Sequence, residues 1–133
     1  TKPPLVVNMP AHTAGVTAGA HTVTIAEILT GVLTSDPTAD RAWTAPTAAL
    51  AVAGVTDCKV GDCVDFTIIN IGTANADEII TLSAGTGGTL IGSGAVCTAN
   101  AVNDAMSTGS GLFRVRFTSV TSGAETYDLF RIA

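Results

Sequence analysis

The last two thirds of the chain alternate between apolar and polar residues over short stretches separated by Gly, Asn and Asp turns. A side-chain period of two is typical of strands that turn one face to a core. Strands are predicted at residues 21–25, 63–70, 79–83, 89–91, 112–118 and 126–132. Short strands with a turn signal roughly every ten residues indicate an all-β protein, an antiparallel β-sandwich that is jelly-roll-like.

The final predicted strand, residues 126–132, does not alternate. Tyr127 and Leu129 lie on one of its sides, and Phe130 and Ile132 lie on the other. A strand that is apolar on both faces is buried on both. Two interpretations stay open: the strand is central to the sandwich and covered by loops, or it lies at a contact between subunits.

One short helix is predicted at residues 47–53, which are rich in Ala. Pro46 suits the start of a helix and Gly54 suits the position just past its end. Leu50 and either Val52 or Ala53 are expected to face the sheets. Residues 27–34 have a strand-like composition, and residues 41–45 are expected to pair back on them as a hairpin.

Residues 1–20 are predicted to form an extended N-terminal arm in front of one β-sandwich domain at residues 21–133. Prolines at positions 3, 4 and 10 remove backbone donors and fix φ, which opposes a helix. The apolar side chains of the arm are Leu5, Val6, Val7 and Met9. We expect the arm to pack along a neighbouring subunit or a host surface, and a strand added to its own sheet is the alternative.

The chain is poor in charge: 13% of its residues are charged, against about 25% in globular proteins. No apolar run approaches the roughly 20 residues that span a bilayer, so no membrane partner is expected. Such a surface fits either a small neutral β-protein or a subunit that is largely covered in an assembly, and we favour the assembly. The net charge is −5 with six basic residues, which form no cluster, so no nucleic-acid partner is expected.

Three cysteines are present, Cys58, Cys63 and Cys97. Cys58 and Cys63 flank a Val-Gly-Asp turn, so a disulfide between them is one alternative and free buried thiols are the other. A metal site is disfavoured, because the two histidines, His12 and His21, lie far away in the N-terminal segment. An odd number of cysteines fits synthesis in a reducing compartment. No metal and no cofactor are expected.

Candidate catalytic side chains are few, and the chain is not expected to be an enzyme. Most carboxylates lie at turns, where Asp hydrogen-bonds its own backbone. Asp77 and Glu78 are adjacent, and adjacent side chains of a strand diverge, so they do not form the facing pair of a glycosidase. Trp43 fits a core or an interface position better than a sugar-stacking platform.

The chain from residue 28 onward resembles small virion proteins of tailed bacteriophages. The segments that carry the resemblance are residues 26–33, 44–50, 60–70, 80–88, 113–120 and 127–131. They make up a scaffold of strands and turns without a catalytic motif. Proteins of this kind are similar to capsid decoration (cement) proteins, or to the knobs of head and tail fibres.

The resemblance implies a structural virion protein that is made in the host cytoplasm and binds the outer capsid surface as a homotrimer of jelly-roll subunits. Its partners would be its own copies and the major capsid protein. The alternative is a receptor- or glycan-binding knob of a head or tail fibre. The expected capsid or subunit contacts are Leu5, Val6, Val7, Met9, Trp43, Tyr127 and Phe130.

Overall fold

A computed structural model describes residues 19–72, 78–97 and 109–133. The chain is mostly β, with two sheets and two short helices. In chain order the elements are β1 (His21–Thr22), α1 (Ile25–Leu29), β2 (Val32–Ser35), β3 (Arg41–Thr44), α2 (Ala48–Gly54), β4 (Cys63–Asn70), β5 (Ile80–Ser83), β6 (Gly88–Ile91), β7 (Ala95–Val96), β8 (Ser110–Ser119) and β9 (Thr126–Arg131). Except for residues 19 and 20, the predicted arm lies outside the described residues.

The strands form a four-stranded sheet in the order β1-β3-β5-β7 and a five-stranded sheet in the order β2-β4-β8-β9-β6. From β1 to β8, successive strands of the chain alternate between the two sheets. Among the strands of the described residues, β8 and β9 are the one consecutive pair that is directly hydrogen-bonded, in an antiparallel hairpin. The architecture is compatible with an all-β sandwich.

The prediction of antiparallel pairing was wrong, because both sheets are mixed. Among the described residues, four of the seven strand pairings are parallel: β1 with β3, β2 with β4, β3 with β5, and β6 with β9. The alternation between sheets is the physical reason. Between two neighbouring strands of one sheet, the chain runs back through a strand of the other sheet. The second strand of the pair can therefore run parallel to the first, as it does after a crossover connection.

The predicted hairpin of residues 27–34 with 41–45 does not form for the same reason. β2 pairs with β4 in the five-stranded sheet, whereas β3 lies in the other sheet between β1 and β5.

One core cluster contains the inward side chains of both sheets. Phe66 and Ile68 of β4, Phe113, Val115 and Phe117 of β8, and Ile80 and Leu82 of β5 are at most 1% exposed. These are the apolar positions that the period of two assigns to the buried face. The strands at 63–70, 79–83, 89–91, 112–118 and 126–132 are confirmed within two residues at each end.

A second helix, α1, stands where strands were predicted. Thr24 is its N-cap: its hydroxyl accepts a hydrogen bond from the Glu27 N–H at 3.2 Å, and the Glu27 carboxylate accepts one from the Thr24 N–H at 2.7 Å. This reciprocal capping box satisfies two backbone donors that a helix start otherwise leaves free. The spacing Thr24-x-x-Glu27 is visible in the sequence, but the strand predictions for residues 21–25 and 27–34 did not take it into account.

The predicted helix at residues 47–53 is confirmed as α2, shifted by one residue, with Thr47 as its N-cap. Its buried side chains are Ala48 and Ala51, whereas Leu50 is 63% exposed, so the prediction that Leu50 faces the sheets was wrong. Two alanines three positions apart let the helix approach the core closely.

The hydroxyl of Tyr127 joins three distant segments inside the core. It donates to the Pro46 carbonyl at 2.8 Å and accepts from the Gly85 N–H at 3.0 Å. Gly85 lies so close to the carbonyl oxygens of Ala45 and Pro46 that a Cβ there would clash. Burial raises the pKa of Tyr127, and the hydrogen bond from Gly85 offsets part of that increase.

Replacing Tyr127 with Phe is expected to lower the free energy of unfolding by about 1–3 kcal/mol, because two buried backbone groups lose their partner. The pKa of Tyr in the unfolded chain is about 10, and the pKa of Tyr127 in the folded chain is higher. Above pH 10 ionisation therefore favours the unfolded chain, so wild type should lose stability relative to Y127F as the pH rises. Urea unfolding at neutral and alkaline pH measures both effects. T126V removes an exposed hydroxyl pairing with Thr118 and is the control, with little change expected. Equal stability of Y127F and wild type would contradict the role of this hydroxyl.

Candidate assembly surface

The structure places two of the predicted contact residues inside the chain's own core. Trp43 and Tyr127 are each 1% exposed, and the Trp43 ring packs edge-on against His21 with 5.1 Å between ring centroids. This corrects their prediction as subunit contacts, because a residue buried within its own subunit offers no surface to another. Phe130 does reach the surface, half-buried. Leu5, Val6, Val7 and Met9 lie outside the described residues.

Phe130 is unlike the other aromatic residues of this chain. Trp43, Tyr127, Phe66, Phe113 and Phe117 are all buried in the core. Phe130 alone points to the side of the five-stranded sheet that faces away from the other sheet, here called the outer face. The two-sided apolar pattern of residues 126–132 therefore reflects one buried side and one side that is open over the described residues.

Strand register places apolar residues next to Phe130 on the outer face. Ile91 of β6 pairs with Phe130, and Ile132 follows two positions along the chain on the same side. Leu112 of β8 lies beside Ile132, whose N–H donates to the Leu112 carbonyl at 2.8 Å. Ile91 and Ile132 are 43% and 47% exposed. These four residues, Ile91, Leu112, Phe130 and Ile132, are the apolar strip of the outer face.

An ion pair lies on the outer face beside the apolar strip. Arg114 pairs across the strands with Phe130 on one side and with Asp65 on the other. Its Nε and Nη2 donate to the two carboxylate oxygens of Asp65 at 2.7 and 2.9 Å. These hydrogen bonds from Arg114 hold the pKa of Asp65 below its usual value of 3.8, although burial opposes the shift. The two parallel hydrogen bonds give the pair a defined geometry.

The outer face is balanced in charge although the chain is acidic. Next to Asp65 and Arg114, Arg116 pairs in register with Asp128. The four charges of this face sum to zero, against −5 for the whole chain. Electrostatic repulsion is therefore weaker at this face than the net charge of the whole chain implies.

His21 and Glu27 form a pair that the sequence analysis did not anticipate, because residue 27 was assigned to a strand. The His21 Nε2 lies 3.2 Å from both carboxylate oxygens of Glu27. The same carboxylate closes the capping box of α1 by accepting from the Thr24 N–H. The Glu27 carboxylate therefore contacts both the N-cap backbone of α1 and the His21 ring.

The cysteines are free thiols in the structure. Cys63 is exposed, so the expectation of buried thiols does not hold for it, whereas Cys58 and Cys97 are half-buried. Burial, with a smaller contribution from Asp62, raises the pKa of Cys58. A disulfide between Cys58 and Cys63 stays a prediction for oxidising conditions.

Two other kinds of site concern residues 19–72, 78–97 and 109–133, namely metal centres and membrane-spanning helices. Within these ranges no three His, Cys, Asp or Glu side chains are grouped so that they could hold a metal ion. None of the described helices has the length and the apolar character to cross a membrane. Ile91 and Ile132 are among the exposed large hydrophobic residues of the described chain, and both lie in the apolar strip of the outer face.

Arg114→Gln is expected to raise the pKa of Asp65 toward 3.8, because the side-chain hydrogen bonds from the guanidinium are the largest cause of its depression. An NMR titration of the Asp65 carboxylate measures the shift. Arg116→Gln removes a charge from the same strand but leaves the pair intact, so it should change the pKa of Asp65 far less. Equal effects of the two substitutions would contradict the assignment.

Comparison with protein-family models, curated proteins and solved structures found no match to this chain.

Proposed function

We propose that this protein is a non-catalytic structural subunit that assembles through the outer face of its five-stranded sheet. The observation that carries the proposal is an open, charge-balanced sheet face with the apolar strip at Phe130, in a chain of which only 13% is charged. Apolar area removed from water at about 25 cal/mol per Å² supplies the driving force for assembly. The paired charges beside the strip give the contact its register.

The size of the outer face limits what it does alone. Five strands spaced by about 4.8 Å and about six residues long give a flat footprint of roughly 500 Å². A stable interface buries about 800 Å² on each partner. The outer face is therefore large enough only for a modest contact between copies, and we assign the apolar N-terminal arm with Leu5, Val6, Val7 and Met9 to the capsid.

Within this class we propose a capsid decoration (cement) protein of a tailed bacteriophage, which is the role that the sequence resemblance implies. A homotrimer on the outer capsid surface would straddle subunits of the major capsid protein and add buried area at joints strained by the packaged DNA. Many weak contacts at symmetric sites add up to a large resistance to rupture. The two sheets are compatible with a β-sandwich subunit, whereas the parallel pairings depart from the antiparallel pattern of a jelly roll.

A glycan-binding knob of a phage fibre is the second candidate, from a different functional class. Such a knob needs exposed aromatic rings on which sugars stack. Five of the six aromatic residues are buried, which weighs against this candidate. Phe130 alone is placed to stack on a sugar.

If the apolar strip joins the copies, the double variant Ile91→Glu, Ile132→Glu should be a folded monomer while wild type is an oligomer of this 13.3 kDa chain. Burying two added carboxylates without partners opposes association. Sedimentation equilibrium gives the masses, and circular dichroism checks the fold. Val60→Glu, a change of the same kind at a residue that is 60% exposed outside the strip, should remain oligomeric. A wild-type monomer, or an oligomer that survives both strip substitutions, would overturn the proposed interface.

If the arm grips the capsid, deletion of residues 1–20 should leave a folded oligomer that no longer cosediments with empty capsids of the phage. Wild type should cosediment with the capsids and give no signal on an array of host surface polysaccharides. Full capsid affinity of the shortened chain would refute the role of the arm. Glycan binding without capsid binding would favour the fibre knob.

A further inference from the structure

An apolar cavity of about 350 Å³ opens at one end of the four-stranded sheet, and nothing in the proposed function uses it. It lies at the carboxyl ends of β1, β3 and β5, which run parallel to one another. Its walls come from the segments that follow these strands, residues 22–25, 44–47 and 85–86, together with Leu50 of α2. This cavity is here called the end cavity.

The polar backbone groups around the end cavity already have partners within the fold. The Val23 N–H donates to the Thr44 carbonyl and the Ala45 N–H to the Ser83 carbonyl, each at 2.8 Å. The Gly85 N–H donates a hydrogen bond to the Tyr127 hydroxyl. The hydroxyls of Thr24 and Thr47 cap the two helices. A polar ligand would find few free donors there, so the end cavity selects an apolar occupant.

The apolar groups of the end cavity are arranged from its floor to its rim. Val23 is fully buried, Ile25 is half-buried, and Leu50 at the rim is 63% exposed. A leucine so exposed beside a space of this size loses water contact when an apolar side chain enters. The cavity is within the roughly 300–1,000 Å³ typical of binding pockets.

We propose that the apolar segment of the arm, Leu5 to Met9, fills the end cavity of its own chain. Val23 and Ile25, on the cavity wall, follow only four and six residues after Gly19, where the described structure begins. Lys2 is the only Lys, Arg, Asp or Glu among residues 1–18, so no charge need be buried when residues 5–9 enter.

The connection between the apolar segment and the described chain has a suitable length. Nine residues, 10–18, separate Met9 from Gly19, and a flexible linker of that length has a root-mean-square span of about 17 Å. A tether this short gives an effective concentration on the order of millimolar. The arm therefore outcompetes an apolar segment of any partner present at lower concentration.

This inference does not rest on the proposed function. An arm that occupies the end cavity in the free protein can still be withdrawn by a capsid that offers it a larger apolar surface. The experiment below contains no capsid, so its failure and the failure of the capsid role are distinguishable.

The test is methyl NMR on the full chain with labelled Leu, Val, Ile and Met methyl groups. Nuclear Overhauser contacts are expected from the methyl groups of Leu5, Val7 and Met9 to those of Val23, Ile25 and Leu50. Val7→Asp should abolish these contacts and shift the Leu50 methyl signals, since a charge cannot enter the cavity. Thr13→Asp adds the same charge in the linker and should change neither the methyl contacts nor the Leu50 signals.

Three results would overturn the inference. Absence of contacts between the arm and the cavity in wild type would place the arm elsewhere. Contacts seen only between copies in a mixture of labelled and unlabelled chains would mean that the arm is exchanged with a second copy. If the Leu50 methyl signals do not shift in the Val7→Asp variant, the cavity is empty or holds another apolar ligand.

Discussion

The apolar faces of the two sheets bury one another, and the rest of the structure is arranged around that contact. Trp43 and Leu82 from the four-stranded sheet and Phe66, Phe113 and Leu129 from the five-stranded sheet lie in one cluster with at most 1% exposure. Each large side chain of this kind contributes roughly 1.5–3 kcal/mol when it leaves water. Since a sheet can bury a face only against another layer, neither sheet is stable alone.

The chain satisfies this constraint by placing successive strands in opposite sheets. Within the described residues, both helices lie in connections between strands of opposite sheets. The Tyr127 hydroxyl, the capping box of Thr24 and Glu27, and Arg131 hold the connections. Arg131 donates to the carbonyls of Ser93 and Ala95 at 3.2 and 2.6 Å and lies over the Phe113 ring, which ties the end of β9 to the start of β7. Such polar contacts join segments that the core alone would leave free.

The two surfaces proposed for binding follow from the same architecture. The outer face is apolar in part because β6 and β9 lie side by side there, which brings Ile91 next to Phe130. The end cavity exists because three parallel strands finish at the same level and their connections diverge from that point. Both surfaces expose apolar side chains to water, and our two proposals assign a second copy to the outer face and the chain's own arm to the end cavity.

Local patterns in the sequence identify the protein as mostly β, locate most of its strands and give the buried face of β4, β5 and β8. Cys63–Asn70 was predicted to the residue, and Phe113, Val115 and Phe117 were predicted on one face, because a period of two is a local property of the backbone. The sequence also contained the capping box of α1, which the strand-like composition around it obscured. Only the tertiary structure decided which strands pair, in which direction, and that Trp43 and Tyr127 face inward while Phe130 faces outward. These outcomes depend on contacts between residues far apart in the chain, which no local pattern encodes.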